Sequence, residues 1–195
     1  MTRELRWLIL VVALLGTALL SNGCVDKAPS ATPAASLPGA TSSPSPVPPE
    51  FQLRLSSPEF ANGAPIPQRF TCDGNDINSA LRIENVPAGT KTLALMLEDP
   101  DAPGGTWVHW LVYDIPVTIW IDEDSVPGTQ GRNDYGVTDY RGPCPPSGTH
   151  RYVFTLYALD TELQLDEGVE QAALARAMQA HILATAELSG YYTRE

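Results

Sequence analysis

The sequence predicts a mainly β domain in the C-terminal three quarters of the chain, with one long helix near its end. Short apolar runs with the periodicity of strands alternate with clusters of Pro, Gly, Asn and Asp, which favour turns. Extended helical periodicity is confined to residues 169–188. A stretch rich in Pro, Ala, Ser and Thr precedes the first strand, so the domain is predicted to span residues 51–195.

Residues 1–23 have the form of a secretory leader. Arg3 and Arg6 precede an apolar core at 7–20, which is short for a membrane span of about 20 residues. Cys24 comes directly after residue 23 and resembles the lipidated cysteine of bacterial lipoproteins, although Ser21 stands where that signal prefers Leu. We expect an exported, membrane-anchored lipoprotein on the extracytoplasmic side of a bacterial cell. An ordinary secretory signal is the alternative.

Residues 24–50 are predicted to form a disordered tether. From residue 28 onward they are almost wholly Pro, Ala, Ser and Thr, so they lack the apolar surface that would offset the entropy lost on ordering. In an extended, polyproline-like form this stretch reaches about 70 Å, at roughly 3.1 Å per residue. Such a tether would hold the domain away from a membrane.

The charge balance disfavours two classes of partner. The chain has 12 basic and 23 acidic residues, and loss of Arg3, Glu4 and Arg6 with the leader leaves 10 and 22, a net charge of −12. This acidic excess argues against binding to nucleic acid or electrostatic docking on anionic lipid. A site for an anion would therefore have to be a local pocket.

The three cysteines are an odd number for an exported protein. If Cys24 carries lipid, Cys72 and Cys144 remain as a possible pair in a compartment where disulfides persist. Two separate, buried thiols are the alternative.

The predicted elements follow in order from Phe51, where apolar and polar residues alternate as in a half-buried strand. The helix rests on the four-residue spacing of Leu174, Met178 and Ile182, with Gly190 as its stop. The predicted strands are 51–56, 81–83, 92–97, 107–113 and 150–159.

A stiff turn joins two of these strands. Pro100 and Pro103 fix the backbone and remove two donors, directly beside Asp99 and Asp101. His109 lies in the strand that follows, so two acids and an imidazole meet at one rim. Because Asp-Pro pairs are common in turns, a purely structural role is the alternative.

A second proline-stiffened loop, at residues 140–149, leads into the last predicted strand. The two-residue period of a strand places His150 and Tyr152 on the same face, with Phe154 and Leu156 continuing that face into the core. These two residues form the opposite rim of a candidate pocket.

Four segments in a fixed order carry a resemblance to a known family. They are DPDAP (99–103), WVHWLVYDIP (107–116), QGRNDYG (130–136) and YRGPCPPSGTHRYVFTLYALD (140–160). With them, residues 51–194 resemble the phosphatidylethanolamine-binding protein (PEBP) family, in its bacterial Raf-kinase-inhibitor-like branch. The resemblance implies a large antiparallel sheet, a smaller second sheet, a peripheral C-terminal helix and a small cavity that accepts anions such as phosphate or phosphoryl headgroups.

Position by position, the resemblance also implies roles for individual residues. Trp107 would line the mouth of the cavity, while Asp101 has no implied partner and is interpreted as a turn residue. Bacterial members often carry cysteines at the positions of Cys72 and Cys144, which supports their pairing. The implied ligand-binding residues are Asp99, Trp107, His109, Gly142, Pro143, His150 and Tyr152.

One segment departs from the family pattern. Residues 78–81 read Asn-Ser-Ala-Leu, where members commonly have Ser-Pro-Pro-Leu. The loss of both prolines puts the rigidity of this loop in question.

The residues favour binding over catalysis. Imidazole and hydroxyl donors suit an anion, and Asp99 is expected to orient His109 or to accept a hydrogen bond from a headgroup ammonium. No Ser or Cys lies in a recognisable activating frame, and the three histidines lack the spacing of metal ligands. We therefore expect a non-catalytic binding protein without cofactor or metal, whose affinity for phosphate rises as pH falls through roughly 6.5.

Two other functions stay open. The chain could inhibit an envelope peptidase through its surface, with a kinase target disfavoured because the protein is expected to be exported. It could also process phosphoesters with Asp99 and His109 as acid and base. The expected partners are a small anion or phospholipid headgroup and the membrane through the N-terminal lipid, with such a protein target as the alternative.

Overall fold

A computed structural model describes residues 51–195 of the chain. The predicted leader, Cys24 and the tether lie outside these residues. No helix within 51–195 is long and apolar enough to cross a membrane. The strands are β1 (Arg54–Ser56), β2 (Ala64–Pro65), β3 (Leu81–Glu84), β4 (Thr92–Asp99), β5 (Trp107–Pro116), β6 (Trp120–Ile121), β7 (Thr129–Gln130), β8 (Gly148–Leu159) and β9 (Ile182–Arg194), with helix α1 (Gln171–Met178) between β8 and β9 and a 3-10 turn at Gln68–Phe70.

The strands form two sheets. The large sheet has six strands in the order β2-β9-β8-β4-β5-β7, and the small sheet has three in the order β1-β3-β6. Neighbouring strands are antiparallel, except that β2 runs parallel to β9. This arrangement confirms the predicted mainly β fold with a large and a smaller sheet.

The position of β4 in the core explains why its residues are apolar almost throughout, rather than alternately apolar and polar. β4 lies between β8 and β5 and is covered on both faces, as a central strand of such composition requires. On one face Leu93, Leu95 and Leu97 pack against residues of the small sheet. On the other face Met96 packs in a second cluster together with Leu174 of α1.

The predicted helix at 169–188 is wrong in its second half. Leu174 and Met178 are buried in α1 as expected, but Ile182 begins β9, which pairs with β8 along its whole length. Gly190, expected to stop the helix, lies inside β9, where a Cβ would approach Ile66 of the neighbouring segment to 2.5 Å. The open edge of β8 overrides the local helical period, and the Thr and Tyr content of β9 suits a strand.

The register brings the predicted site residues to one end of the large sheet. Asp99, at the end of β4, pairs with Trp107, at the start of β5. Thr92, at the start of β4, pairs with Pro116 and Leu159, the last residues of β5 and β8. The opposite end of the sheet is therefore about seven residues, or roughly 23 Å, away along β4.

Candidate functional site

A cleft of about 280 Å³ opens where β4 ends and β5 begins. Three of the sequence-predicted binding residues contribute to it directly, namely Asp99, Trp107 and His109. Gly142, Pro143, His150 and Tyr152 lie in the surrounding layers. The lining residues are Asp99, Ala102, Pro103, Trp107, His109, Tyr135, Cys144 and Pro146.

Asp99 is buried and fully engaged. One carboxylate oxygen accepts a hydrogen bond from Nδ1 of His150 at 2.8 Å, and the other accepts from the backbone N–H of Asp101 at 2.9 Å. The expectation that Asp99 orients His109 is therefore wrong, because its imidazole partner is His150. Asp101 acts within the turn, since its carboxylate accepts from the backbone N–H of Arg151 at 2.8 Å and so fastens the turn to β8.

His109 occupies a β-bulge in β5. Leu97 pairs with Trp110 and Glu98 with Val108, so His109 has no partner on β4. Bulges of this kind redirect a side chain and are frequent beside functional sites. The carbonyl of His109 instead accepts from the Arg141 N–H at 3.3 Å and from the Asn133 side chain at 3.2 Å.

The imidazole of His109 is buried, with one defined tautomer. Its Nδ1 lies 2.9 Å from the carbonyl oxygen of Arg141, and because a carbonyl can only accept, Nδ1 carries the proton. The ring lines the cleft, and Nε2 is the nitrogen that Arg141 does not hold. Burial lowers the pKa of His109, and the Arg141 carbonyl and the Asp99 charge oppose this only in part. The ring is therefore neutral at pH 7, and Nε2 accepts rather than donates.

Two tyrosines clamp the ring of His109. Tyr135 meets it edge to face at 5.4 Å and also contacts Trp107 at 5.6 Å, while Tyr152 meets it from another side at 5.2 Å. Burial raises the pKa of both tyrosines, so their hydroxyls stay protonated. The Tyr152 hydroxyl also accepts from the backbone N–H of Cys144 at 3.2 Å, which joins this layer to the proline-rich loop.

That loop is fixed by a disulfide and by one close contact. Cys72 and Cys144 are joined, which confirms the predicted pair. The N–H of Gly142 donates to Asp76 at 2.7 Å, and a Cβ on Gly142 would lie 2.3 Å from the carbonyl oxygen of Phe70, so a larger residue would clash. Pro143 is buried, and its carbonyl accepts from the Cys72 N–H at 3.2 Å.

The segment that lacks two prolines is held by side-chain hydrogen bonds instead. Buried Asn78 donates to the carbonyl of Asp122 at 2.8 Å and accepts from the N–H of Ser125 at 2.9 Å. The hydroxyl of the next residue, Ser79, is buried without a hydrogen-bond partner. Asn78 thus supplies the rigidity that the missing prolines put in question.

Sequence reasoning missed Tyr135 as a residue of the cleft. It follows Asn133, whose side-chain oxygen accepts from the Tyr135 N–H at 3.0 Å, and Asp134, whose carboxylate accepts from the Val108 N–H at 2.7 Å. These two residues fasten the loop onto β5 and present Tyr135 above His109. The Asn-Asp-Tyr-Gly turn was the available signal, because Asn and Asp commonly cap nearby backbone donors.

The side chains of the cleft offer ring edges, one imidazole nitrogen and one engaged carboxylate. In the part of the chain that the structure describes, no group of three or more His, Cys, Asp or Glu could hold a metal ion. The cleft therefore presents groups that can form hydrogen bonds and ring contacts.

Comparison with known proteins gives one family match and close relatives. The model of the phosphatidylethanolamine-binding protein family matches residues 56–193. The UPF0098 protein of Methanothermobacter thermautotrophicus is 44% identical over 150 residues, which cover 73% of this chain and 99% of the relative. The UPF0098 protein of Chlamydia pneumoniae is 44% identical over 149 residues and is covered to 99%, against 73% of this chain.

Two solved structures are also similar. The Chlamydia trachomatis protein CT736 has a TM-score of 0.72 and 41% identity, over 74% of this chain and 99% of that one. Escherichia coli YbcL, presented as a member of the mammalian PEBP family, has a TM-score of 0.69 and 31% identity over the same shares. In both comparisons the similarity covers nearly the whole of the solved chain.

Proposed function

Because the chain belongs to the phosphatidylethanolamine-binding protein family, we propose that it is a non-catalytic binding protein for a small anion, either phosphate or a phosphoryl headgroup. The ligand would occupy the cleft between Asp99, Trp107, His109 and Tyr135. The protein would act outside the cytoplasm of a bacterial cell, tethered to the membrane through lipid on Cys24.

The observation that carries this proposal is the state of His109. Its ring is clamped by Tyr135 and Tyr152, its Nδ1 is fixed by a carbonyl, and Nε2 is the nitrogen that Arg141 does not hold. A neutral Nε2 repels an unprotonated anion. Binding therefore requires one proton, carried either by the imidazole or by a phosphoryl oxygen that donates to Nε2.

Two features support binding rather than catalysis. The carboxylate of Asp99 is occupied by His150 and by a backbone N–H, so it is poorly placed to activate a second group. The sulfur of Cys144, which lines the cleft, is held in the disulfide and offers no thiolate. Covalent catalysis requires a nucleophile and a base within hydrogen-bond reach of each other. Asp99 and Cys144 do not provide such a pair.

The proposal is tested by calorimetry on the full chain in detergent micelles, with inorganic phosphate and glycerophosphoethanolamine as probes. We expect both to bind, and His109→Gln to weaken binding by at least about tenfold, since a charged hydrogen bond contributes roughly 1.5–3 kcal/mol. His181→Gln is the matched control, because His181 is paired with Asp160 near the start of β9, away from the cleft.

Absence of binding, or equal affinities in wild type and His109→Gln, would contradict the proposal. Turnover of a phosphoester panel that is abolished by Asp99→Ala would instead assign a hydrolytic function. The two results are separable because binding is measured with probes that are recovered unchanged.

The structure refines the predicted pH dependence of the affinity for the anion. Since burial lowers the pKa of His109 in the free protein below its ordinary value of 6.5, the affinity should rise as pH falls through neutrality and level off only below that pH. Glycerophosphoethanolamine suits this measurement, because its phosphodiester keeps one negative charge through the neutral and mildly acidic range. A flat profile between pH 5 and 8 would remove His109 from the contact with the anion.

A further inference from the structure

An open groove follows the outer edge of β9. Two clefts, of about 360 and about 570 Å³, are lined on one side by residues of β9 between Leu183 and Leu188. The facing wall is the start of the domain, from Phe51 to Ser57, and Leu53 lines both clefts. The clefts therefore adjoin and form one groove, and none of its lining residues also lines the cleft beside His109.

The edge of β9 in this groove is unpaired. β8 occupies one side of β9, and on the other side β2 pairs with Gly190 and Tyr191 alone. Within residues 51–195, no strand pairs with 184–188 on that side. This free edge is about 16 Å long, and such an edge offers a row of backbone donors and acceptors to another strand.

The direction of the backbone groups follows from two hydrogen bonds of Ser189. Its N–H donates to the side-chain oxygen of Asn62 at 2.8 Å, and its carbonyl accepts from the N–H of Gly63 at 2.7 Å. Ser189 therefore points both groups to the outer side. The pairing of β9 with β8 is regular from residue 184 onward, so by the two-residue period the N–H and C=O groups of Thr185 and Glu187 also point outward.

The groove is apolar on the side of the small sheet. Ala184 and Ala186 of β9 face this side and pack against the core. Their side chains are small, and the groove is also lined by Leu53, Leu55 and Phe60. A strand paired with β9 would point every second side chain to this side. Apolar side chains suit these positions.

The other face of the free edge is acidic. Glu187 is exposed, and none of the ion pairs within residues 51–195 includes it. The other charged residues of the groove, Arg54 and Glu84, are register partners of opposite charge. The described domain contains 9 of the 12 basic and 20 of the 23 acidic residues, a net charge of −11. A basic side chain opposite Glu187 would therefore be attracted, and an acidic one repelled.

We infer that residues 184–188 bind an extended, basic peptide segment of a partner protein, which joins the large sheet as an antiparallel strand. Antiparallel pairing is the more stable arrangement per residue. The partner residues opposite Thr185 and Glu187 exchange backbone hydrogen bonds with them, and the one opposite Glu187 is Lys or Arg. Their neighbours are apolar and enter the groove. Backbone pairing supplies the affinity, and the alternating side chains supply the specificity.

The test is a titration of the full chain in detergent micelles with the peptide acetyl-Val-Lys-Val-Lys-Val-amide, measured by calorimetry and by residue-resolved amide hydrogen exchange. We expect the Thr185 and Glu187 amides to exchange at least about tenfold more slowly at saturating peptide. The Ala186 amide faces β8 and is the internal control, since its exchange should change far less. Unchanged exchange of Thr185 and Glu187 at millimolar peptide would overturn the inference.

The backbone pairing is tested with two methylated peptides. Methylation of the backbone nitrogen of both lysines removes the donors that face β9, so this peptide should bind at least about tenfold more weakly. Methylation at the central valine is the matched control, because that N–H points away from β9. A loss of affinity that is as large for the valine peptide as for the lysine peptide would contradict the assigned pairing.

The charge preference is tested with acetyl-Val-Glu-Val-Glu-Val-amide. The ratio of the affinities for the lysine and glutamate peptides should fall at least about threefold in Glu187→Lys, because the cross-strand attraction becomes repulsion. Glu195→Lys makes the same change in net charge about 26 Å further along the direction of β9, and it should lower this ratio less than about twofold. An equal fall in both variants would show that only net charge matters and would overturn the inference.

The exchange of the protein alone is a further check. We expect the Thr185 and Glu187 amides to be unprotected before peptide is added, whatever the protein concentration. Protection in the absence of peptide would overturn the inference, because the edge would then already be covered. If that protection increased with protein concentration, the occupant would be a second copy of the chain.

Discussion

His109 and His150 lie at the same end of the large sheet, yet their partners give them different tasks. Nδ1 of His150 meets the carboxylate of buried Asp99 at 2.8 Å, whereas Nδ1 of His109 meets the backbone carbonyl of Arg141 at 2.9 Å. A carboxylate partner compensates charge on an imidazole, while a carbonyl mainly fixes the ring. On the Asp99–His150 wall the two side chains therefore bind each other, whereas on the His109 wall the second imidazole nitrogen is the one that we propose contacts the ligand.

The largest expected effect is on the loop behind His109. Cys72→Ala/Cys144→Ala opens a link between residues 72 apart in sequence, and the chain-entropy model gives a loss of about 4 kcal/mol in the free energy of unfolding. Urea unfolding measures it. Cys24→Ala is the control and should leave the unfolding midpoint unchanged. Equal midpoints for all three proteins would mean that the disulfide does not hold this wall.

A smaller effect distinguishes the two walls directly. Asp99→Asn removes the charged acceptor of His150 and should lower the free energy of unfolding by about 2 kcal/mol. Arg141→Ala keeps the carbonyl that holds His109 and loses a long ion pair of 3.5 Å with part-buried Asp76 and an exposed one with Asp139, so we expect less than about 1 kcal/mol. If Arg141→Ala had the greater effect, the assignment of the two walls would be reversed.

The pH dependence of stability should come in part from His109. Burial lowers its pKa in the folded state below the ordinary 6.5, so the unfolded chain binds more protons in the window between these values. The contribution of His109 to stability is therefore complete above pH 6.5 and is lost as pH falls toward the folded-state pKa. This contribution is isolated by subtracting the free energy of unfolding of His109→Gln from that of wild type at each pH. We expect the difference to fall as pH falls, and a difference that rises instead would contradict the prediction.

The smallest effect is expected at Ser79. Its buried hydroxyl lacks a partner, so Ser79→Ala should change the free energy of unfolding by less than about 0.5 kcal/mol or increase it. Asn78→Ala should lower it by about 2 kcal/mol, because two buried hydrogen bonds are lost. Thermal unfolding of the two variants side by side compares them, and similar losses would show that Ser79 has a partner in solution.

Much of this arrangement follows from local sequence. The prolines beside Asp99 and Cys144 require irregular loops, and the period of β8 places His150 and Tyr152 on one buried face. The disulfide agrees with the count of cysteines. Each of these predictions depends on residues close together in the chain or on a property, such as the number of cysteines, that does not change with the exact register of the strands.

The partner of Asp99 could not be predicted in the same way, because it depends on the bulge at His109. One extra residue in β5 changes which side chains face Asp99, and period-2 reasoning assumes that no such residue is present. β9 was missed for a related reason. Its local pattern suits a helix as well as a strand, and the open edge of β8 decides between them.

The most direct test of the central claim is the number of protons taken up when glycerophosphoethanolamine binds at pH 7. Calorimetry in buffers with different ionisation enthalpies gives this number. Because His109 is neutral at this pH and must carry a proton to hold the anion, we predict uptake of about one proton per ligand in wild type and in His181→Gln. His109→Gln should take up none. Binding heats in wild type that are independent of the buffer would contradict the role of His109 as the anion's partner.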